Sequence, residues 1–462
     1  MRSELSRLLG AEYVLEAPPD SPYNRDCTGR RGVDGRADAV ALPGSAQEVA
    51  DVVRWCYEHD VPIVARGGGT GLVGGAVAID GGVVCSLERL RRVRELEPGL
   101  WRMLPEAGVR TREVQRLARE NGLMFAPDPG ASEQSQIGGN VATNAGGPHA
   151  LKYGVTGSWV SGLEVVLAPG ELVQLGGWAG KDVAGYDIKS LMVGSEGTLG
   201  LITAVRLRLL PAPESALVAM VFTRSRADGC AAIEQILGCG VRPSVLDFMD
   251  ADTLEIVAGG YPGEFPAQAG FALIVEVDGS LQEARAQRAA LLDALAGGAL
   301  AVHEPADAKA LWRWRDGVNG VVTGARGAKV SEDVVFPVER LGEGLTRFAD
   351  LAQAKGLRSC AWGHGGEGNV HATVLVDPAS EAELDAAEAL GEELFALVVE
   401  LGGSVAGEHG VGWCKRGRLA SQWSEPALDL HERLKSVFDP KGLLNPGKKL
   451  ARYPARSPVT YN

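Results

Sequence analysis

The stretch PIVARGGGTGLVGGA, residues 62–76, joins a short β-type run to a dense cluster of glycines. Its GTGLVG segment formally matches the GxGxxG pattern, which indicates a dinucleotide site only where a strand precedes it and a helix follows. The next residues, GAVAIDGGVVCSLERL at 75–90, contain an Asp-Gly turn and β-prone side chains, so no helix is predicted there. A Rossmann fold is therefore excluded. The loop still suits an anion, because consecutive backbone N–H groups can converge on a phosphate; the alternative is a flexible turn.

Glycine is unusually frequent along the whole chain. It accounts for 62 of 462 residues, nearly twice the usual share of about 7%. These glycines follow no collagen-like period and cluster between apolar runs, a pattern typical of loops around a ligand. At this length, two to three domains are expected.

Charge and cysteine content exclude several classes of function. The net charge of −13 argues against a nucleic-acid partner, which would need a basic patch. No apolar run approaches the roughly 18 residues of a membrane span, and the N-terminus has no signal-peptide core. The seven cysteines are odd in number and never spaced as CxxC, which excludes iron–sulfur ligation, zinc ribbons and a disulfide framework. A reducing, cytoplasmic location is expected.

Periodicity predicts an alternation of helices and strands on both sides of a break. Ser45 and Glu48 form a capping-box pattern before a helix, and a second helix is predicted to start at Thr111. Strands are predicted at 162–168 and 199–210, and PAPES at 211–215 marks a domain boundary. Beyond it, further strands and helices alternate, among them helices at 226–238, at 281–295 and from Ser380 to about Leu401.

Seven segments, in order, resemble a known family of flavoproteins. They are PIVARGGGTGLVGGA, PDPGASEQSQIGGNVATNAGG, LKYGVT, GYDIKSLMVGSEGTLGLIT, GHGGEGNVH, GEHGVG and FDPKGLLNPGK. The chain resembles the FAD-linked oxidases and dehydrogenases of the vanillyl-alcohol oxidase and p-cresol methylhydroxylase superfamily. Within it, the chain is most similar to the glycolate oxidase, D-lactate dehydrogenase and D-2-hydroxyglutarate dehydrogenase subgroup. The resemblance covers roughly residues 20–450.

The resemblance implies an α+β fold with a two-part FAD-binding domain of the p-cresol methylhydroxylase type. Residues 1–212 would form the FAD domain. Residues 213–415 would form an inserted α/β cap, with a ferredoxin-like antiparallel sheet plus helices, which carries the substrate and metal site. Residues 416–462 would form a helical tail that returns to the FAD domain.

The family's FAD contacts carry over onto four segments of this chain. The pyrophosphate contacts would be Arg66, Gly67, Gly68, Gly69, Thr70 and Gly71. The residues along the flavin would be Gly139, Asn140, Thr143, Asn144, Gly146, Glu196, Gly197, Ile202 and, from the tail, Asn445. Because RGGGTGLVGGA offers no histidine, cysteine or tyrosine for covalent attachment, non-covalent FAD is expected. His149 is the nearby alternative attachment point.

Three of the seven histidines lie in two glycine-rich segments, GHGGEGNVH at 363–371 and GEHG at 407–410. Imidazole with one carboxylate suits zinc or manganese, and the glycines after His364 allow the chain to fold back on itself. The resemblance implies that His364, His371 and Glu408 are the metal ligands and that His409 is the catalytic base. One departure from the family is Glu367, where aspartate is usual, which affects the groups that orient the ligands.

Substrate capture needs a cation for a carboxylate group, and arginine binds one with two parallel hydrogen bonds. In LWRWRDGVNG the family pattern assigns this role to Arg315, with Lys329 in AKVSEDV as a second candidate. Arg313 is the competing arginine. Asn369, between the two histidines, is a candidate hydrogen-bond partner of the substrate.

The activity expected is oxidation of a D-2-hydroxy acid (glycolate, D-lactate or D-2-hydroxyglutarate) to the 2-oxo acid. His409 would remove the hydroxyl proton, assisted by the metal, while hydride passes from C2 to the flavin. The alternatives are a flavin oxidase that uses O₂, a non-redox flavin lyase or transferase, and a non-catalytic electron-transfer subunit. A metallohydrolase would leave the glycine loops unexplained, and HExxH is absent. The electron acceptor would be a quinone, a cytochrome or a separate subunit, and a homodimer is left open.

Overall fold

A computed structural model describes residues 1–28 and 33–450. The chain divides into two compact units. The first contains residues 1–146, 155–212 and 408 onwards, and the second contains residues 147–154 and 213–407. The second unit is thus formed by two segments that interrupt the sequence of the first.

The described residues contain fourteen α-helices. In chain order they are α1 (Arg2–Leu9), α2 (Ala46–Glu58), α3 (Thr111–Glu120), α4 (Ile137–Thr143), α5 (Ala150–Tyr153), α6 (Ile188–Met192), α7 (Arg226–Gly238), α8 (Ala251–Val257), α9 (Leu281–Leu295), α10 (Ala308–Gly324), α11 (Leu341–Ala354), α12 (Glu381–Glu400), α13 (Leu419–Gln422) and α14 (Glu425–Phe438). The helices predicted from Ser45, Thr111 and Ser380 are confirmed. None of these described helices combines the length and the hydropathy needed to cross a bilayer.

The described residues also contain eighteen strands. They are β1 (Val14–Leu15), β2 (Ala39–Ala41), β3 (Ile63–Arg66), β4 (Val83–Ser86), β5 (Val93–Glu97), β6 (Arg102–Pro105), β7 (Leu123–Met124), β8 (Val160–Leu167), β9 (Glu171–Gly176), β10 (Leu201–Arg208), β11 (Leu210–Pro211), β12 (Ser215–Thr223), β13 (Val245–Asp250), β14 (Phe271–Gly279), β15 (Ala301–His303), β16 (Ala328–Val335), β17 (Arg358–His364) and β18 (Asn369–Val376).

The first unit contains a small mixed sheet and an antiparallel sheet. The mixed sheet has the order β1-β2-β4-β3, in which β2 and β3 both run parallel to β4. Helix α2 begins where the Ser45 hydroxyl accepts a hydrogen bond from the Glu48 amide, and its apolar side packs into the core with Ile63 and Leu444. The antiparallel sheet has the order β5-β6-β10-β8-β9. No helix lies between β3 and β4, which confirms that the glycine stretch is not a Rossmann loop.

The second unit is built on one seven-stranded antiparallel sheet with the order β15-β12-β14-β13-β17-β18-β16. Helices α8 and α10 pack on one face through an apolar cluster that includes Leu254, Leu311 and Trp314. Helices α7, α9, α11 and α12 also pack against the sheet. This sheet with its helices agrees with the predicted α+β class.

Candidate active site

The first glycine loop follows β3 and lies against the start of α4. A Cβ added to Gly68 would lie 2.2 Å from the Gln134 carbonyl oxygen, and one on Gly67 would lie 3.6 Å from the Gly139 Cα. Gly69 has a φ of 68°, in the left-handed region that glycine enters without steric cost. The backbones of residues 66–71 and 134–146 therefore approach more closely than side chains would permit.

Two other segments of the first unit join this region. The Asn445 side chain donates to the carbonyls of Gly75 (2.8 Å) and Glu196 (2.7 Å). The Asn445 amide donates to Ile63, so the tail extends the edge of β3. We call the assembled segments, residues 66–75, 134–146, 194–198 and 443–445, the glycine loops.

The glycine loops contain buried polar atoms that have no hydrogen-bond partner among the described residues. They are Gln136 Oε1, Ser195 Oγ and Asn445 Oδ1. Leaving such atoms unsatisfied costs about 1–3 kcal/mol each, which is avoided where a ligand supplies the partner. Gly139 borders open space, because a Cβ built on it meets no atom within 4 Å. These loops fit a large polar cofactor.

Several predicted FAD residues use their side chains inside the protein. The buried Arg66 guanidinium donates to the Pro22 carbonyl (2.9 Å), and Asn140 donates to the hydroxyl of Thr111 (2.5 Å). Thr143 donates to its own helix. Asn144 has a φ of 55° and accepts from the Gly157 amide. These side chains therefore shape the loops through contacts within the protein.

The predicted base and one predicted metal ligand lie on a third feature of the first unit, the His409 loop, residues 408–412. The side-chain atoms His409 Nε2 and Glu408 Oε1 are 3.9 Å apart. A Cβ added to Gly146 would lie 2.9 Å from Glu408 Oε2. The two side chains are about one quarter and one fifth exposed. The His409 loop is thus packed against the glycine loops.

In the second unit, strand register collects polar residues on one face of the sheet. Directly opposite residues of antiparallel strands point to the same face. Asp247 lies opposite His364, His364 opposite Asn369, and His371 opposite both Trp362 and Asp333. We call the set Asp247, Asp333, His364, Asn369 and His371 the polar face. It continues the side of the sheet on which α8 and α10 pack.

Asp247 is buried and connects two predicted site residues. Its Oδ1 is 2.7 Å from His364 Nδ1, and its Oδ2 accepts from Arg315 Nε at 2.7 Å. Burial alone would raise the pKa of Asp247, but the charge of Arg315 and the hydrogen bonds from His364 and Arg315 lower it to about 2. A carboxylate at Nδ1 fixes the imidazole tautomer so that Nε2 carries the lone pair. His364 is therefore oriented as a metal ligand would be.

Ligand atoms of His364 and His371 lie within 4.8 Å of each other, as do those of His371 and Asp333. Asp333 also accepts from the Asn369 side chain (2.7 Å) and from the Gly407 amide (2.9 Å). Asn369 Oδ1 is buried and has no hydrogen-bond partner among the described residues.

Of the remaining candidates, Arg315 and Lys329 contact other side chains of the second unit, whereas Arg313 is exposed. Arg315 is 14% exposed, whereas Arg313 is 73% exposed and 3.6 Å from Asp307. The Lys329 ammonium lies 4.8 Å from the centre of the Trp362 ring, and burial lowers the pKa of Lys329 to about 8. His149, the alternative attachment point for FAD, is 3.1 Å from Glu276 in the second unit.

Sequence reasoning missed Asp247 and Asp333. Asp247 stands in the apolar strand segment VLDFMD, and Asp333 directly precedes the apolar run VVF. A carboxylate is costly to bury in such a setting without partners. The sequence signal for both residues is therefore an acidic side chain in or beside an apolar run. It indicates that a buried acid has a partner, but it does not name the partner.

The comparisons with known proteins identify the family. Residues 37–176 match the FAD binding domain, and residues 212–449 match the C-terminal domain of FAD linked oxidases. This chain belongs to the FAD-linked oxidases. It is therefore an oxidoreductase with FAD as its cofactor, as predicted.

Curated relatives align over most of the chain. Glycolate oxidase subunit GlcD of Bacillus subtilis is 34% identical over 420 residues, which covers 90% of this chain and 89% of that protein. D-lactate dehydrogenase of Anaerostipes hadrus is 34% identical, with 89% of each chain covered. D-2-hydroxyglutarate dehydrogenase of Xanthomonas citri pv. viticola is 36% identical, covering 92% of this chain and 91% of that protein. The predicted subgroup is confirmed.

Solved structures confirm the fold. p-Cresol methylhydroxylase superposes with a TM-score of 0.80 at 18% identity, covering 97% of this chain and 96% of that one. Alkyldihydroxyacetonephosphate synthase superposes with a TM-score of 0.75 at 17% identity, covering 96% and 84%. At these identities the likeness concerns the fold alone.

Proposed function

We propose that this flavoprotein oxidises a D-2-hydroxy acid to the corresponding 2-oxo acid. The single observation that carries the proposal is Asp247, which holds both an imidazole and a guanidinium on the polar face. The His364 imidazole suits a metal ion that binds a hydroxyl group, and the Arg315 guanidinium suits a carboxylate group. The relatives named for glycolate, D-lactate and D-2-hydroxyglutarate support this substrate class, in which a hydroxyl and a carboxylate lie on adjacent carbons.

We assign His364, His371 and Glu408 as ligands of a divalent ion, zinc or manganese. Two buried imidazoles with ligand atoms within 4.8 Å of each other, together with a carboxylate, are a suitable donor set for either ion. The ion would supply a Lewis acid that stabilises the alkoxide form of the substrate. Glu367, which follows His364 in the turn between β17 and β18, stands where the family has aspartate and would alter how strongly the ion is bound.

In this proposal His409 accepts the hydroxyl proton of the substrate. Its ring is partly exposed and so can exchange that proton with solvent afterwards. FAD, held without a covalent bond, supplies the acceptor for the hydride from C2. Arg315 binds the substrate carboxylate, and Lys329 is the second cation on the same side. Asn369 Oδ1, which lacks a partner among the described residues, accepts a hydrogen bond from the substrate.

The test is anaerobic mixing of FAD-loaded, metal-loaded protein with a panel of D- and L-2-hydroxy acids. We expect a D acid or glycolate to bleach the visible flavin band. Absence of bleaching with every member of the panel would contradict the proposal. Hydrogen peroxide formed in stoichiometric amount under air would instead identify an oxidase that passes electrons to O₂.

The assigned residues are tested in the same assay. His409→Ala should lower the rate of flavin reduction by about 10²–10⁴-fold while FAD stays bound. The control is His431→Ala, because His431 packs on Trp423 in the tail. Chelation should abolish the reduction, and zinc or manganese should restore it. Full activity after verified demetallation would remove the metal from the proposal.

A further inference from the structure

The Glu196 carboxylate, in the GSEGTLG segment, binds the backbone of the His409 loop. Oε1 accepts from the Val411 amide at 2.9 Å, and Oε2 accepts from the Gly412 amide at 2.6 Å. The Lys449 ammonium lies 3.3 Å from Oε1. Glu196 is 6% exposed, so solvent competes little for these hydrogen bonds.

The His409 loop is shaped to receive this carboxylate. Gly410 and Gly412 have φ values of 85° and 49°, in the left-handed region. Alternation of left-handed and ordinary backbone makes successive N–H groups converge, which forms an anion-binding concavity. A Cβ on Gly410 would lie 3.0 Å from Glu196 Oε1. The glycine next to His409 thus permits the carboxylate to approach.

The backbone of Glu196 is held just as firmly on the side of the glycine loops. Its amide donates to Ala142 at 2.7 Å, and its carbonyl accepts from the Asn445 side chain at 2.7 Å. The residue has a φ of 53°, an uncommon conformation for a non-glycine residue. Glu196 therefore connects its own segment, residues 194–198, to residues 134–146, to residues 443–445 and to the His409 loop.

We propose that Glu196 is a positioning residue, which holds His409 in register with the glycine loops through the two amides of Val411 and Gly412. This inference rests on the proposed function, and it deepens it by assigning the group that places the base. Hydrogen bonds to an ionised acceptor are about twice as strong as neutral ones. Displacement of a catalytic group by about 1 Å can cost about 10²-fold in rate.

The informative variant is Glu196→Gln, which preserves shape and size. The glutamine Nε2 donates instead of accepting, so one of the two loop amides faces another donor. We expect hydrogen exchange at Val411 and Gly412 to accelerate by about tenfold or more. The rate of flavin reduction should fall by about ten- to hundredfold, with FAD content retained and the half-saturating substrate concentration within about threefold of wild type.

The matched control is Glu106→Gln in the same unit. Glu106 is also a buried carboxylate that accepts from a backbone amide, that of Arg92 at 2.9 Å, and it binds Arg92 and Arg94. Its side-chain partners, Arg92 and Arg94, lie outside the His409 loop. This control should leave exchange at residues 411–412 and the reduction rate as in wild type, whatever it does to overall stability.

Unchanged exchange in Glu196→Gln would overturn the proposal, and so would a wild-type reduction rate. If loss of FAD alone accounts for the inactivity of Glu196→Gln, the proposal is also overturned, because Glu196 would then be a cofactor contact. If the Gln variant does not fold, Glu196→Asp replaces it. This variant keeps the charge but moves it back by one methylene, and its amide exchange, reduction rate and FAD content are judged in the same way. The exchange measurement needs no substrate, so it remains decisive even if no hydroxy acid reduces the wild-type protein.

Discussion

The glycine loops of the first unit and the polar face of the second unit are built on opposite principles. The loops work through backbone: glycines permit close approach, and side chains such as Asn445 hold neighbouring segments in place. The polar face works through side chains, which strand register sets opposite one another. Changes in the loops should therefore act through shape, and changes on the polar face should act through charge.

Among the substitutions that compare these two regions, the largest effect should follow loss of the charge that organises the polar face. Asp247→Asn leaves Arg315 and His364 without their shared carboxylate. We expect flavin reduction to slow by about 10²-fold and the unfolding free energy to fall by about 3–5 kcal/mol. FAD content should stay unchanged because the glycine loops are untouched. Stopped-flow reduction, flavin absorbance and denaturant unfolding measure the three quantities.

Asp250 on the same strand provides the control. Its carboxylate accepts from the amide and hydroxyl of Thr253, and burial raises the pKa of Asp250 to about 6. A raised folded-state pKa means that stability is lost as the pH rises from about 4 through 6. Asp250→Asn should therefore be as stable as wild type or more stable at pH 7, with a normal reduction rate. Equal rates for Asp247→Asn and Asp250→Asn would refute the role of Asp247.

A smaller effect, on FAD alone, should follow from filling space in the glycine loops. Gly139→Ala adds a methyl group that meets no protein atom within 4 Å, and alanine stabilises a helix by about 0.5–1 kcal/mol over glycine. The FAD-free protein should be as stable as before or more so. FAD affinity should fall about tenfold, because overpacking against the cofactor costs about 1–3 kcal/mol. Equilibrium titration with FAD measures this.

Gly320→Ala on α10 serves as the reference for Gly139→Ala. Its added methyl group also meets no atom within 4 Å, so any gain from helix propensity should be similar. Its FAD affinity should not change. If both variants bind FAD as wild type does, the open space beside Gly139 is not part of the cofactor site.

The smallest effect should be a pH dependence of substrate binding through Lys329. Burial lowers the pKa of Lys329 to about 8, and only the ammonium form attracts a carboxylate. The half-saturating concentration of a hydroxy acid should therefore rise above pH 8, by at most about tenfold per pH unit. Lys329→Met should raise it at pH 7 and remove the dependence. Lys355→Met, at a partly exposed ion pair with Glu393, should behave as wild type.

Local elements of the fold were readable from sequence. The capping pattern at Ser45 predicted α2, and the glycines after His364 predicted the tight return of the chain between β17 and β18. The motif resemblance predicted the family and FAD. Asp247 could not be paired with His364 in this way, since 117 positions separate them. Likewise, no local sequence pattern predicts that residues 147–154 belong to the second unit.

By itself, then, the sequence determined where the chain turns and which segments are helical, because these properties depend on neighbours a few residues apart. Its ordered motifs also indicated the flavoprotein family. Only the tertiary structure decided which acidic residue lies opposite which histidine. Strand register places Asp247 against His364 and Asp333 against His371, and the carboxylate of Glu196 reaches the His409 loop across more than two hundred residues. Such partners are chosen by packing and hydrogen bonding between distant segments.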